Sequence, residues 1–589
     1  RTNTVIHSLF AVALKLLLPT VIHYCFTITI DKAENEYDFI VVGAGTSGCV
    51  VAARLSEASN TRVLVLEAGG KDLLDPLISV PAFYSRALRS HLDWNFETVE
   101  QKHACKSLRG KKSRWPRGKV LGGTSAINAM IYNRGSPYDY DLWSELGAEG
   151  WNYSQVLPFY EKLENREQDN SRKSEDAPLH ITTLKGLDKV KAFMEAGTEL
   201  GYQIKKEYDD NFEGFYRVDA TINQGKRETA STAYLRPAVR KRPDQLHVVV
   251  NAHVDKIIFE KQRAVGVTFL KDGKGSLVRA KKEVIISAGA VSTPHLLMLS
   301  GVGNKDHLEK LNITSVADLP GVGSNLQDHF LTFGGFVEIE KKTKSMISRD
   351  FVSNLSYIWS GKGFYGNNGV CNAYAMINVG NVTQPRADIV QLLMFSFETT
   401  VNKAYTQNFS SNCDPRFRSE VLKDKPDDQV LTSFAISPCI MTPFSKGRIT
   451  LQSTDPLQQP NIDPNYLSDP KDAKMMVQAF RTAKKIANTT VFRKTNATEK
   501  LGAICYCSNF RDDLYDCLVR METLTSYHPC CTAKIGNEKD NLAVVDPRLR
   551  VYKVKGLRIA DASVMPAITS ANIQAPCYMI GEKAAHMLK

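Results

Sequence analysis

The stretch Thr525–Gly536, TSYHPCCTAKIG, sets one imidazole, His528, two residues before the adjacent thiols of Cys530 and Cys531. Imidazole takes and returns protons near neutral pH, and thiols bind metals, act as nucleophiles or pair as disulfides. By residue type alone the stretch is open to four chemistries: a metal site, a thiol active site, a disulfide, or a general base with cysteines beside it. What the rest of the chain binds must decide among them.

A second constellation lies near the start. Tyr37–Val42, YDFIVV, reads as a short buried strand running into GAGTSG, with Gly43, Gly45 and Gly48 in G-x-G-x-x-G spacing, and then into a helical pattern. Such glycines allow a tight turn, close backbone approach to a pyrophosphate, and close packing of helix on strand. The helix start, with Thr46 and Ser47, adds free N–H groups and the positive end of the helix dipole. A second strand, TRVLVLE, ends in Glu67, 22 residues past Gly45 and near the spacing of a carboxylate that grips a ribose hydroxyl. This predicts a dinucleotide site without separating FAD from NAD.

The elements that must position these groups are scattered. Further strands are expected at Leu246–Val250, Val254–Glu260, Ala264–Leu270 and Glu283–Gly289. A last one at Gly556–Asp561 precedes a helix over Gln574–Leu588. A sheet begun at residue 37 and completed near 560 must be interrupted by insertions. The chain between about Asp328 and Asp546 is of another kind, with aromatic-rich extended pieces and one amphipathic helix around Ala473–Ala487. The expected fold class is α/β plus α+β. A discontinuous dinucleotide-binding domain (37–190, 225–327 and 546–589) would be capped by a second domain (191–224 and 328–545), with the ligand cleft between them.

With 589 residues, 43% hydrophobic and 23% charged, the chain has the composition of a multi-domain globular protein. The net charge of +12 is scattered in pairs such as Lys111-Lys112, Lys281-Lys282 and Lys484-Lys485 without a recognition motif, which argues against nucleic acid. Residues 1–30 contain an apolar run, Ser8–Ile30, interrupted by Lys15 and Pro19. A central lysine costs a spanning helix about 2.5–3.5 kcal/mol, so a secretory signal is expected rather than a membrane anchor. Seven Asn-x-Ser/Thr acceptors, at Asn152, Asn312, Asn354, Asn381, Asn408, Asn488 and Asn496, agree with export. Twelve cysteines in this length do not make a disulfide scaffold.

Five segments occur in order: GAGTSGCVVAARL with VLVLEAGG, RGKVLGGTSAINAMIYNRG (Arg117–Gly135), SAGAVSTPHLLMLSGVG (Ser287–Gly303), SYHPCCTAKIG, and LRIADASVMPAITSANIQAP (Leu557–Pro576). Together they resemble the glucose–methanol–choline (GMC) oxidoreductases, flavoenzymes that oxidise alcohols with FAD, over nearly the whole chain from residue 37. The resemblance implies that Gly43, Gly45, Thr46, Ser47, Gly48 and Glu67 hold the ADP half of FAD, and that Val254 touches the adenine through its backbone. Val120, Gly122, Gly123, Thr124 and Asn128 would line the flavin end. Asp561 and Ala562 would meet the pyrophosphate and ribityl chain. The helix beginning near Gln574 would aim its positive end at the flavin. Where some members attach the flavin through a histidine, this chain has Ile127, so FAD is expected to be non-covalent.

The resemblance also ranks the four chemistries of the opening stretch. Alcohol oxidation removes a hydride from carbon and a proton from oxygen, and it implies that His528 is the base, with Asn572, 44 residues on, bonding the substrate oxygen. Hydride transfer needs no thiol, zinc ligands at motif spacing are absent, and no metal is expected. A disulfide from Cys530 or Cys531 to Cys505, Cys507 or Cys517 stays open. One departure is Cys531, where the family often has glycine. The style of the motifs resembles the family's insect branch, which includes enzymes of leaf-beetle secretions acting on salicyl alcohol. That points to a secreted oxidase of primary aromatic alcohols using O2. Two alternatives are a sugar dehydrogenase with a quinone acceptor and a catalytically silent protein of the same fold.

Overall fold

The computed structural model describes residues 28–166, 176–184, 188–206, 212–332, 336–339, 356–368, 371–380, 389–397, 432–494, 498–500, 507 and 514–589. The expected signal segment lies almost wholly outside them, as do Asn354, Asn381, Asn408, Asn496 and Cys505. No described helix is long and apolar enough to cross a membrane.

The apolar run near the start forms the strand Glu36–Val42, buried along nearly its whole length because neighbours cover both faces. Val63–Leu66 and the end of Lys274–Ile286 flank it in parallel; Leu246–Val249 extends the sheet beyond Val63–Leu66. The chain's last strand, Leu557–Ile559, pairs in parallel with Val284–Ile286 and completes a seven-stranded sheet. The first half of Lys274–Ile286 turns away into an antiparallel meander with Arg263–Lys271 and His253–Glu260. Helix Thr46–Leu55 lies on the first two strands, and helix Gln574–Leu588 packs against it. The two ends of the chain are therefore neighbours, and the dinucleotide fold is discontinuous as expected.

A second sheet of nine strands runs through Phe336–Ile339, Thr432–Ile440, Ile389–Phe397, Cys371–Asn378 and Gly214–Arg217, antiparallel throughout that run. Phe330–Thr332 joins it on Thr432–Ile440 and pairs in turn with Thr523–Thr525. The expected amphipathic helix starts three residues early, at Pro470, because Asp469 caps it and proline suits the first turn. Its apolar face, Met476, Phe480, Ala483 and Ile486 among others, packs on this sheet. The segment 191–224 is divided: Gly214–Arg217 belongs to the large antiparallel sheet, whereas Asp219–Ala220 pairs with Ile131–Tyr132 and Leu179–Thr183. One buried apolar cluster includes residues of both large sheets, so the two share a core.

Candidate active site

A cavity of about 570 Å³ runs between the two sheets. Gly43, Gly45, Thr46, Ser47, Glu67 and Val254 line it, and so do His528 and Asn572.

The dinucleotide region is made of backbone. Helix Thr46–Leu55 has Gly45 at its N-cap with no side-chain cap, which leaves its first N–H groups for an anion. Gly48 does not line the cavity; a Cβ there would sit 2.0 Å from the Gly43 carbonyl oxygen, so glycine is what lets the helix close on the turn. At Gly43, φ is +98° and a Cβ would meet the Ser287 carbonyl at 2.5 Å. The buried Glu67 carboxylate accepts from the N–H groups of Ala44 and Gly69, each at 2.8 Å, and burial pushes its pKa up to about 7. Asp561 accepts from Gly289 N–H, Thr293 Oγ1 and Ser563 N–H, and it lines the cavity with Ala562.

Of the residues expected at the flavin end, Gly123, Thr124 and Asn128 line the cavity, while Val120 and Gly122 shape the loop behind it. Val120 packs among Ile78, Leu92 and Ile127, and Gly122, at φ +89°, donates its N–H to the Ala44 carbonyl. The Asn128 side chain donates to Gln574 Oε1 at 2.8 Å, tying this loop to the first turn of the C-terminal helix. Ile127 offers no nucleophile for a covalent flavin link. An elongated cavity, uncapped helix N–H groups, a cradle that a Cβ would fill and a buried ribose-type carboxylate together fit FAD.

His528 lies in a bulge. Phe330 pairs with Thr525 and Gln327 bridges to Cys530, so the histidine strand carries more residues than its partner between the same two rungs. Extra residues of this kind re-aim side chains, and Tyr527 takes the left-handed conformation within it, at φ 67°. Asp328 Oδ1 accepts the His528 N–H at 2.8 Å, and Tyr466 donates its hydroxyl to Oδ2 of the same carboxylate.

Hydrogen-bond polarity then fixes the ring's protons. The Met441 carbonyl can only accept, so His329 Nε2 donates to it, at 3.1 Å. In its neutral form a His329 that donates from Nε2 keeps its lone pair on Nδ1, which then accepts from His528 Nδ1, at 3.0 Å. The remaining nitrogen of His528, Nε2, keeps its lone pair. Asn572 agrees from the other side. Its Oδ1 accepts from Asn133 Nδ2 at 2.9 Å and its N–H donates to Asn133 Oδ1 at 3.0 Å, which turns its Nδ2 toward His528 Nε2 at 3.3 Å. Burial, then the neighbouring His329 and Arg117, hold the His528 pKa well below 6.5 and keep the ring neutral. A neutral imidazole whose Nε2 lone pair faces an amide donor has the chemistry to accept a hydroxyl proton.

His329, Asn133 and Asp328 were not singled out by sequence. Asp328 and His329 end the run GVGSNLQDH, just ahead of an apolar stretch, and nothing local shows that they face residue 528. Cys507 and Cys517 are bonded to each other, which excludes a pairing of either with Cys530 or Cys531. Among the described residues no three His, Cys, Asp or Glu side chains group to hold a metal ion.

Family models described as GMC oxidoreductase match residues 37–331 and 443–581. The chain belongs to the GMC oxidoreductase family. It is 34% identical over 582 residues to the glucose dehydrogenase [FAD, quinone] of Drosophila pseudoobscura pseudoobscura, covering 95% of this chain and 88% of the relative. It is 36% identical over 584 residues to the mitochondrial choline dehydrogenase of Mus musculus, covering 96% and 91%. The crystal structure of pyridoxine 4-oxidase from Mesorbium loti shares the fold at a TM-score of 0.77 and 24% identity, over 93% of this chain and 98% of that one. As a GMC protein, the chain is an FAD oxidoreductase acting on CH–OH donors.

Proposed function

We propose that this GMC oxidoreductase is a secreted oxidase of primary aromatic alcohols, of the salicyl alcohol type found in the insect branch, yielding an aldehyde and H2O2. The observation that carries the substrate class is the wall its substrate region lends to the cavity. The described residues of that region that line the cavity are Leu331, Cys371, Leu393, Ser526, Tyr527, His528 and Pro529, together with Pro456, Leu457, Gln458 and Gln459, and none of them is a carboxylate. A polyhydroxylated sugar calls for several directed hydrogen bonds, and a quaternary ammonium for an acidic or aromatic cage. An apolar wall with one hydroxylated ring suits an aromatic alcohol held by shape.

Bound FAD supplies the acceptor for the hydride. His528 receives the hydroxyl proton at Nε2, and the imidazolium so formed keeps its Nδ1–H bond to His329. Asn572, held by Asn133, donates its amide N–H toward the oxygen as negative charge grows there. The apolar wall keeps bulk water from competing for that proton.

Export draws support from the apolar N-terminal segment, from exposed Asn312 and Asn488, and from the Cys507–Cys517 disulfide, since disulfides persist in oxidising compartments. A second proposal, a sugar dehydrogenase passing electrons to a quinone, has in its favour the 34% identity to a glucose dehydrogenase of that description. An anaerobic flavin-bleaching screen over salicyl alcohol, benzyl alcohol, glucose and choline separates them. The oxidase proposal expects fastest bleaching by salicyl alcohol and release of H2O2 when air is admitted. Fastest bleaching by glucose, with no peroxide, would overturn it.

A further inference from the structure

The thiols beside the base have no part in proton or hydride transfer, yet their placement is unusual. Cys530 and Cys531 are both fully buried, and their sulfurs lie 2.7 Å apart. Non-bonded carbon atoms settle about 3.5–4.0 Å apart and sulfur is larger, so two thiols at this distance press on one another. Neither thiol has another hydrogen-bond partner among the described residues.

Cys531 is also left-handed, at φ 75°. Glycine enters that region freely, whereas a side chain there costs about 1–2 kcal/mol. That conformation explains why glycine suits the position, and it leaves a cysteine in need of compensation. In an extended chain consecutive side chains point to opposite sides; the left-handed turn brings these two together.

We propose that Cys530 and Cys531 are joined by a vicinal disulfide, whose ring includes the peptide bond between them. Its formation removes a hydrogen from each thiol; a small-molecule disulfide of the oxidising compartment accepts the two electrons and two protons and leaves as two thiols. The bond forms as the chain folds, before both sulfurs are buried. Its consequence is positional. Cys530 exchanges both backbone hydrogen bonds with Gln327, and Cys531 donates its N–H to the carbonyl of Ala562, which lines the cofactor cavity. The ring thus locks the turn carrying His528 to the wall of the cofactor cavity.

The test is peptide mass analysis of the full chain, denatured and alkylated first without and then with reductant. The tryptic peptide Met521–Lys534 is expected to carry no label before reduction, to be two hydrogens lighter than its dithiol form, and to take two labels afterwards. Cys49 and Cys371, free and buried, label in both samples and serve as the internal control. Two labels on that peptide before reduction, or a cross-link to another peptide, would overturn the proposal. In support, Cys531→Ser is expected to lower Tm, and Cys530→Val with Cys531→Gly to restore it; equal Tm for Cys531→Ser and the parent would contradict the locking role.

Discussion

The cavity has two ends built on different principles. At the dinucleotide end, Glu67 and Asp561 accept almost entirely from backbone N–H groups, and the cradle is a turn closed by Gly43 and Gly48. At the histidine end, position is set by side chains reaching across the fold, with His329, Asn133, Asp328 and Asn572 each orienting a neighbour. A backbone site fails when the chain cannot adopt its path. A side-chain network fails one proton or one tautomer at a time. Substitutions at the first end should therefore remove the cofactor, and those at the second should leave the protein yellow but slow.

The largest effect is expected from Gly48→Ala. The added Cβ meets the Gly43 carbonyl oxygen at 2.0 Å, a contact that backbone must move to relieve. The expected result is loss of bound FAD, read from the visible spectrum of purified protein; a variant that stays fully loaded would erase the contrast. Asn572→Ala should keep FAD and slow its anaerobic reduction by about 10²–10³-fold, as removal of one donor to a developing oxyanion does elsewhere. His329→Phe removes the acceptor that fixes the His528 tautomer. Misplacement on the scale of one ångström costs up to about 10²-fold, so a loss of about 10–100-fold with unchanged FAD content is expected.

The smallest effect is one of pH. Burial above all, with the Arg117 cation nearby, holds His528 below its ordinary pKa, so it is unprotonated down to pH values under 6.5. Reduction by alcohol should persist below pH 6.5 and fall only in stronger acid, as measured by anaerobic stopped flow. Folding stability follows the same direction. The unfolded imidazole takes a proton as pH drops through 6.5 while the folded one resists, so this group's contribution is present above that value and is lost in acid.

The same contrast explains what could be read from the sequence. The glycine turn, its flanking strand and helix, and Glu67 lie within about thirty residues, and their chemistry is local. His528 and Asn572 were legible through the resemblance of the segments that carry them. Their partners were not, because the bonds that orient them link positions 329 to 528 and 133 to 572, and only the folded chain brings these together. The strands that hold the base, Phe330–Thr332 and Thr523–Thr525, are too short to show an alternating pattern. Val120 and Gly122 show the reverse case: a motif names a whole loop, while only some of its residues line the cavity. The divided course of 191–224 was equally invisible, since two-residue strands leave no periodic signal.

The central claim is that the lone pair on His528 Nε2 takes the substrate's hydroxyl proton. Anaerobic reduction of bound FAD by salicyl alcohol, or by the best substrate of the screen, in His528→Ala and the parent protein tests it most directly. The account predicts equal FAD content and a reduction rate lower by about 10²–10⁴-fold near neutral pH, partly restored by added imidazole. An unchanged bleaching rate in the yellow variant would contradict it.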